Sequence, residues 1–347
     1  MPDTFNTGFN RAQRLVLTLA AFIVVIAGIR ASTEILIPFL LSLFIAIIVY
    51  PLLNWMRGKG VPTFVAILLI LLMIISLGFL VAVMVGSSLT DFSSSLPAYQ
   101  RGLTEKTREL LAFFEERGLV ISDQTFLESI NPGAAMRFTS SLLTSMGNLV
   151  GDTFIILLVV VFMLLEAATF GDKLGSVFHS SSKEVDRFKI FLDNINRYMV
   201  IKTWISLGTG VIVSIFLSIL GVDYALLWGL LAFMLNYIPN IGSILAAIPP
   251  VLVALITVGP GTSFIVAMGF LAINATIGNF IEPRVMGQGL GLSTLIVFLS
   301  LLFWGWVLGP VGMILSVPLT MSMKIALLSF EETQWISTLL DSSAVIK

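Results

Sequence analysis

Residues 224–281 read YALLWGLLAFMLNYIPNIGSILAAIPPVLVALITVGPGTSFIVAMGFLAINATIGNFI, 58 positions without an Asp, Glu, Lys or Arg. As one helix this stretch would measure about 87 Å at 1.5 Å per residue, close to three bilayer hydrocarbon thicknesses of roughly 30 Å each. It must therefore fold back twice. Pro239, inside Asn236-Tyr237-Ile238-Pro239-Asn240, and the triplet Gly259-Pro260-Gly261 stand where the reversals are needed. Pro249 and Pro250 fall within the middle piece, where two missing N–H groups predict a kink. Beyond Glu282-Pro283-Arg284, residues 285–323 form a second uncharged run of 39 positions. That run suits a helical hairpin bent near residues 305–310.

The whole chain agrees with this reading. Of its 347 residues 57% are hydrophobic and 11% charged, against ordinary shares of roughly 45–50% apolar and about 25% charged. A soluble fold does not expose so much apolar surface. The expected fold class is all-α: a polytopic transmembrane helical bundle of about eight spanning helices plus a C-terminal helical hairpin, which either crosses twice or is re-entrant. Nineteen Lys and Arg balance twenty Asp and Glu, and no basic stripe marks a nucleic-acid partner. The chain has no cysteine and one histidine, His179, which excludes disulfides, cysteine nucleophiles and a histidine-rich metal centre. No phosphate loop, H-E-x-x-H or G-x-S-x-G is present, so neither an enzyme nor a cofactor is expected.

Charge placement sets the organisation. Residues 1–86 hold three membrane helices at 15–29, 35–53 and 61–86. Arg11, Arg14, Arg57 and Lys59 place the N-terminus and the 54–60 turn in the cytoplasm. Residues 87–150 then lie outside. Leu103, Thr107, Leu110, Leu111 and Phe114 recur there at helical spacing among Glu105, Lys106, Glu109, Glu115 and Glu116, which predicts an amphipathic helix. Asn131-Pro132-Gly133 marks a turn after it. Residues 151–170 belong to a fourth membrane helix that begins near 149. Residues 171–198 are a cytoplasmic linker carrying Lys173, Lys183, Arg187, Lys189 and Arg197. Residues 199–326 form the C-terminal core, and 327–347 a cytoplasmic tail.

Helices broken inside hydrocarbon are tolerated only within protein or beside a wet cavity, and in transporters they mark the solute pathway. Asn236, Asn240, Asn274 and Asn279 supply amide donors and acceptors there, suited to a neutral polar solute. The alternative role for each is helix–helix bonding. Glu282 and Arg284 are the charged island between the two uncharged runs. Glu282 either binds a proton or cation with Arg284 as counter-ion, or caps a helix at the cytoplasmic interface. Asn279 and Glu282 share a helix face, and Pro283 ends or bends that helix. Glu166 and Lys202 lie within two turns of an interface and can snorkel to it. Gly287, Gly289 and Gly291 permit a tight backbone path, while Gly305 and Gly309 allow close helix approach.

The segments YIPNIGSILAAIPPVLVAL at 237–255 and GNFIEPRVMGQGLGLSTLIVFLSLLFWGWVLGPVGMILSVPL at 278–319, with GVDYALLWGLLAF at 221–233, closely resemble the autoinducer-2 exporter family of bacterial transporters. The resemblance implies a multi-pass protein of the bacterial cytoplasmic (inner) membrane, homo-oligomeric in the bilayer. It implies export of a small polyhydroxylated signal or, in other members, exchange of sodium (or lithium) for protons. The matching positions are Pro239, Gly242, Pro249, Asn279, Glu282, Pro283, Gly287, Gly309, Pro310, Gly312 and Pro318. Ser243 and Thr294 stand where many relatives have proline. Three functions follow as expectations. The first is a secondary transporter exporting a small polar solute such as autoinducer-2 without ATP hydrolysis. The second is a sodium/proton antiporter using Glu282, and the third a structural membrane scaffold.

Overall fold

The computed structural model describes residues 11–117, 139–141, 144, 153–177, 183–239, 241–286, 292–328, 333–335 and 340. Asn240, Gly287, Gly289, Gly291, His179 and the turn expected at Asn131 lie outside the described residues. The protein is an all-α membrane bundle. Its helices are α1 (Arg11–Ala31), α2 (Thr33–Gly58), α3 (Thr63–Glu115), α4 (Thr153–Val177) and α5 (Lys183–Ile219). There follow α6 (Ala225–Leu235), α7 (Ile241–Thr257), α8 (Pro260–Thr276), a π-helical turn (Ile277–Ile281), α9 (Glu282–Met286) and α10 (Thr294–Leu328). Five segments are long and apolar enough to cross a membrane: α2, most of α3, Asp193–Ile219 of α5, Pro260–Met286 and α10. Large apolar side chains along α1 and the first half of α3, among them Phe22, Val24, Phe64 and Phe79, are exposed, as a lipid-facing surface requires.

Local chemistry explains most of the boundaries. α2 opens with Glu34 in its first turn and closes with Arg57 in its last, each favourable to the helix dipole. The Ser42 hydroxyl lies 2.7 Å from the Pro38 carbonyl and 3.0 Å from the Ile156 carbonyl, which ties α2 to α4. The reversals expected in the uncharged run occur where the breakers stand. Residues 236–240 separate α6 from α7, and Gly259, at φ 126°, separates α7 from α8, which begins on Pro260. α7 carries both Pro249 and Pro250 along its length, and both are buried.

Some elements differ from expectation. α3 passes through residue 86 without a break and continues for 53 residues, a rod of about 80 Å that far exceeds the hydrocarbon. The amphipathic helix expected around Leu103 and Thr107 is its distal part, and both of those residues are buried against the bundle. Most of the stretch expected as a linker, 171–198, is helical, since α4 ends at Val177 and α5 starts at Lys183. α6 has only 11 residues, about 16 Å, and so reaches only part-way across a bilayer. Pro283 does not end its helix, because the π turn before it absorbs the lost N–H and the helix runs on to Met286. α10 is a hairpin with its corner at Gly309 (φ 66°, ψ −150°), and Pro310 opens the second arm. Trp304 Nε1 donates to Thr320 Oγ1 at 3.0 Å across that hairpin.

Three apolar clusters hold the bundle. Val49, Leu53, Ile67, Ile70, Val160 and Leu164 join α2, the start of α3, and α4. Phe44, Tyr198, Met199, Leu292, Val311 and Leu315 join α2, α5 and the α10 hairpin. Phe92, Leu103, Leu217, Trp228, Ala246, Val253 and Phe270 join the distal half of α3 to α5–α8.

α5 packs on α6 through glycines. A Cβ at Gly210 would lie 2.7 Å from the Gly229 carbonyl, and one at Gly229 would lie 2.5 Å from the Gly210 carbonyl. Gly210→Val or Gly229→Val is therefore expected to cost about 1–3 kcal/mol by overpacking, read as a lower melting temperature in detergent. Gly208→Val, where a Cβ meets nothing within 4 Å, is the control expected to melt like the parent.

Candidate functional site: a polar cleft between two helix pairs

α5 and α6 form one tight pair through Gly210 and Gly229. α7 and α8 form another, in which Ser263 Oγ donates to the Val251 carbonyl at 2.9 Å. A cleft lies along the seam between the pairs. Thr209, Val213, Ala232 and Asn236 come from the first pair, and Ser243, Ala246, Phe270, Ile273 and Asn274 from the second, with Ile277 of the π turn. Its interior has room for about one water molecule. The polar lining consists of two hydroxyls and two amides, set in an apolar wall. Pro249 and Pro250 lack N–H groups, so the carbonyls of Leu245 and Ala246 have no donor four residues on.

A ladder of polar contacts runs along α5 below the cleft. Asn236 Nδ2 donates to Ser206 Oγ at 2.9 Å, and both residues are buried. One turn on, the Tyr237 hydroxyl donates to Thr203 Oγ1 at 2.7 Å. At the foot, Lys202 Nζ meets Glu282 Oε1 at 2.6 Å. The Lys202 side chain is 4% exposed and that of Glu282 23%, so the pair is partly buried, with the ammonium inside and the carboxylate reached by water. It closes the seam at this end by linking α5 to α9. At the opposite end the Phe216 ring packs directly on Gly269, where any Cβ would overlap it. α5 thus meets α9 at one end of the cleft and α8 at the other.

Several expected site residues come together here. Asn236 and Asn274 line the cleft, and Pro239 and Gly242 shape the turn that brings Asn236 to it. Gly242 lies so close to the Leu235 carbonyl that no side chain fits. Three expectations are corrected. Glu282 pairs with Lys202 rather than with Arg284, which is exposed. Lys202 is buried instead of snorkelling to an interface. Asn279 is also exposed, because the π turn, in which the Glu282 N–H bonds back to the Ile277 carbonyl, rotates it away from the face that carries Glu282. Gly309 and Pro310 form the corner of the α10 hairpin, away from this lining. Thr203, Ser206 and Thr209 were not anticipated. Their signal was available: with Lys202 they recur at three- and four-residue spacing on one face of an apolar helix.

Comparison with known proteins gives the bundle a family. Residues 19–332 match the AI-2E family transporter profile. The chain belongs to the AI-2E family of transporters. It is 41% identical over 327 residues to the AI-2 transport protein TqsA of Escherichia coli, covering 94% of this chain and 95% of that one. It is 45% identical to a protein of Haemophilus influenzae over 92% of this chain and 94% of the relative. YhhT of Escherichia coli is 39% identical over 93% and 92%. Both of the latter are named "Putative transport protein". The protein is accordingly a bacterial multi-pass membrane transporter.

The ion pair generates a prediction within this family scaffold. Lys202→Met leaves Glu282 without its partner; breaking a fully buried pair costs about 3 kcal/mol or more, and the water that reaches Glu282 lowers that cost here. The expected result is a fall in melting temperature in detergent. Lys202→Met with Glu282→Gln removes both charges and is expected to recover most of that loss. A double variant as unstable as the single one would show that the charges are not what couples α5 to α9.

Proposed function

We propose that this AI-2E family protein is a secondary transporter that carries a small, neutral, polyhydroxylated solute such as autoinducer-2 out of the cell without hydrolysing ATP. The observation that carries this reading is the uncharged lining of the seam. Thr209, Asn236, Ser243 and Asn274 offer both donors and acceptors to solute hydroxyls and carbonyls. The printed name of TqsA supports AI-2 as the solute to test first. Arg11, Arg14, Arg57 and Lys59 support reading the Lys202 end of the seam as the cytoplasmic one.

Sodium/proton exchange through Glu282 is the weaker reading. Lys202 already meets its carboxylate, so a cation would first have to displace an ammonium group. A scaffold role has no use for a polar cleft inside the core.

The test is efflux of autoinducer-2 from proteoliposomes without nucleotide. Asn274→Ala and Thr209→Val are each expected to slow it about tenfold, as when a buried site loses a hydrogen bond to its substrate, without changing the melting temperature. Transport that requires ATP, or that neither substitution alters, would contradict the proposal. Sodium-driven proton flux abolished by Glu282→Gln would favour the exchange reading.

A further inference from the structure

The distal half of α3 crosses the seam at the end opposite the ion pair. Phe92, Ser95, Tyr99 and Gly102 lie on one face of that helix, three to four residues apart. Phe92 packs edge-on to Tyr224 at 5.8 Å and to Trp228 at 5.5 Å, both from the first helix pair. Ser95 Oγ lies 3.5 Å from the Tyr224 hydroxyl, and Tyr99 stands beside Asp223 and Tyr224. Three residues beyond Tyr99, Gly102 sits against Ile256 of the second pair; a Cβ there would lie 2.7 Å from Ile256 Cγ2. One helix, with Pro97 along its length, therefore contacts the start of α6 and the end of α7 together.

The gripped corners are built to turn. Gly221 (φ 69°) and Tyr224 (φ 59°) are both left-handed in the link from α5 to α6, and Tyr224 is the one non-glycine residue of the described chain with positive φ. A bulky side chain in that conformation is unusual and persists only where its surroundings hold it. Phe92, Ser95 and Tyr99 are those surroundings. Gly259 (φ 126°) supplies the corresponding corner between α7 and α8. The base of α3 is fixed elsewhere, in the α2–α4 cluster through Ala66, Ile67 and Ile70.

We propose that the distal half of α3 is a releasable clamp, in which Phe92, Tyr99 and Gly102 hold the two helix pairs together and close the cleft at the Tyr224 end. Solute leaves only when this face lets the pairs part. The ion pair between Lys202 and Glu282 is the corresponding tie at the other end, so the two ties open in alternation. This inference rests on the cleft being the solute path.

The chain has no cysteine, so introduced pairs report on themselves alone. A Cβ at position 102 lies 3.9 Å from Ile256 Cβ, within the disulfide range. Gly102→Cys with Ile256→Cys, oxidised in proteoliposomes, is expected to lose autoinducer-2 efflux and to regain it on reduction. Each single variant should ignore the oxidant. A fully cross-linked protein that transports at its reduced rate would overturn the clamp.

A second readout needs no transported solute. In an Asn274→Cys background, a membrane-impermeant maleimide added from the Tyr224 side reports opening of the cleft. Phe92→Leu keeps an apolar filler but removes both cross-helix ring contacts, and it is expected to raise the labelling rate about tenfold. An unchanged rate would overturn the clamp. Failure of autoinducer-2 transport in the unsubstituted protein, together with faster labelling in the Phe92 variant, would remove the proposed solute and leave the clamp standing.

Discussion

Hydrocarbon offers the backbone no hydrogen bonds, so every interruption of a membrane helix must be placed where protein or water can satisfy it. The breaks in this chain obey that constraint. The turn after α6 is held by local bonds, as in the Ile238 N–H to the Leu235 carbonyl at 2.9 Å and the Ile241 N–H to the Pro239 carbonyl at 2.6 Å. Its side chains anchor on α5 through Asn236 and Tyr237. Because α6 ends part-way across, the amide of Asn236 is delivered to the interior rather than to a surface. The short helix and the polar cleft are thus one fact.

The seam owes its position to unequal packing. Glycines bring α5 against α6 to backbone contact, whereas α5 meets α8 through a ring on Gly269 at one end and α9 through an ion pair at the other. Between those two contacts lie Thr209 and Asn274. A partly buried ion pair adds little net stability, since desolvation offsets most of its attraction. It does give a strongly specific tie. That combination, costly to leave half-made and cheap to exchange for two hydrated charges, suits a contact that forms and breaks as a transporter works.

Much of the fold could be read from the chain because proline, glycine and charge act locally. The reversals at Pro239 and Gly259, the corner at Gly309 and the long uncharged helices all followed from backbone chemistry. The interior role of Asn236 and Asn274 followed from the cost of amides in lipid. What escaped was tertiary. Lys202 and Glu282 are 80 residues apart, and nothing local distinguishes Lys202 from an interfacial lysine. The π turn that exposes Asn279 depends on accommodating Pro283 within a continuing helix, where a helical wheel of ordinary period puts Asn279 beside Glu282. The length of α3 was hidden by the polar residues after Gly86, which resemble a domain boundary but lie on a helix stabilised by Tyr224, Trp228 and Ile256.

The most direct measurement is a density map of the protein in a lipid bilayer at saturating autoinducer-2. Solute density in the seam, within hydrogen-bond reach of Asn274 and Thr209 and enclosed between the Lys202 and Phe216 levels, is the expected result. A seam that stays dry and closed in every conformer, with solute bound elsewhere or not at all, would contradict the assignment of this cleft as the transport path.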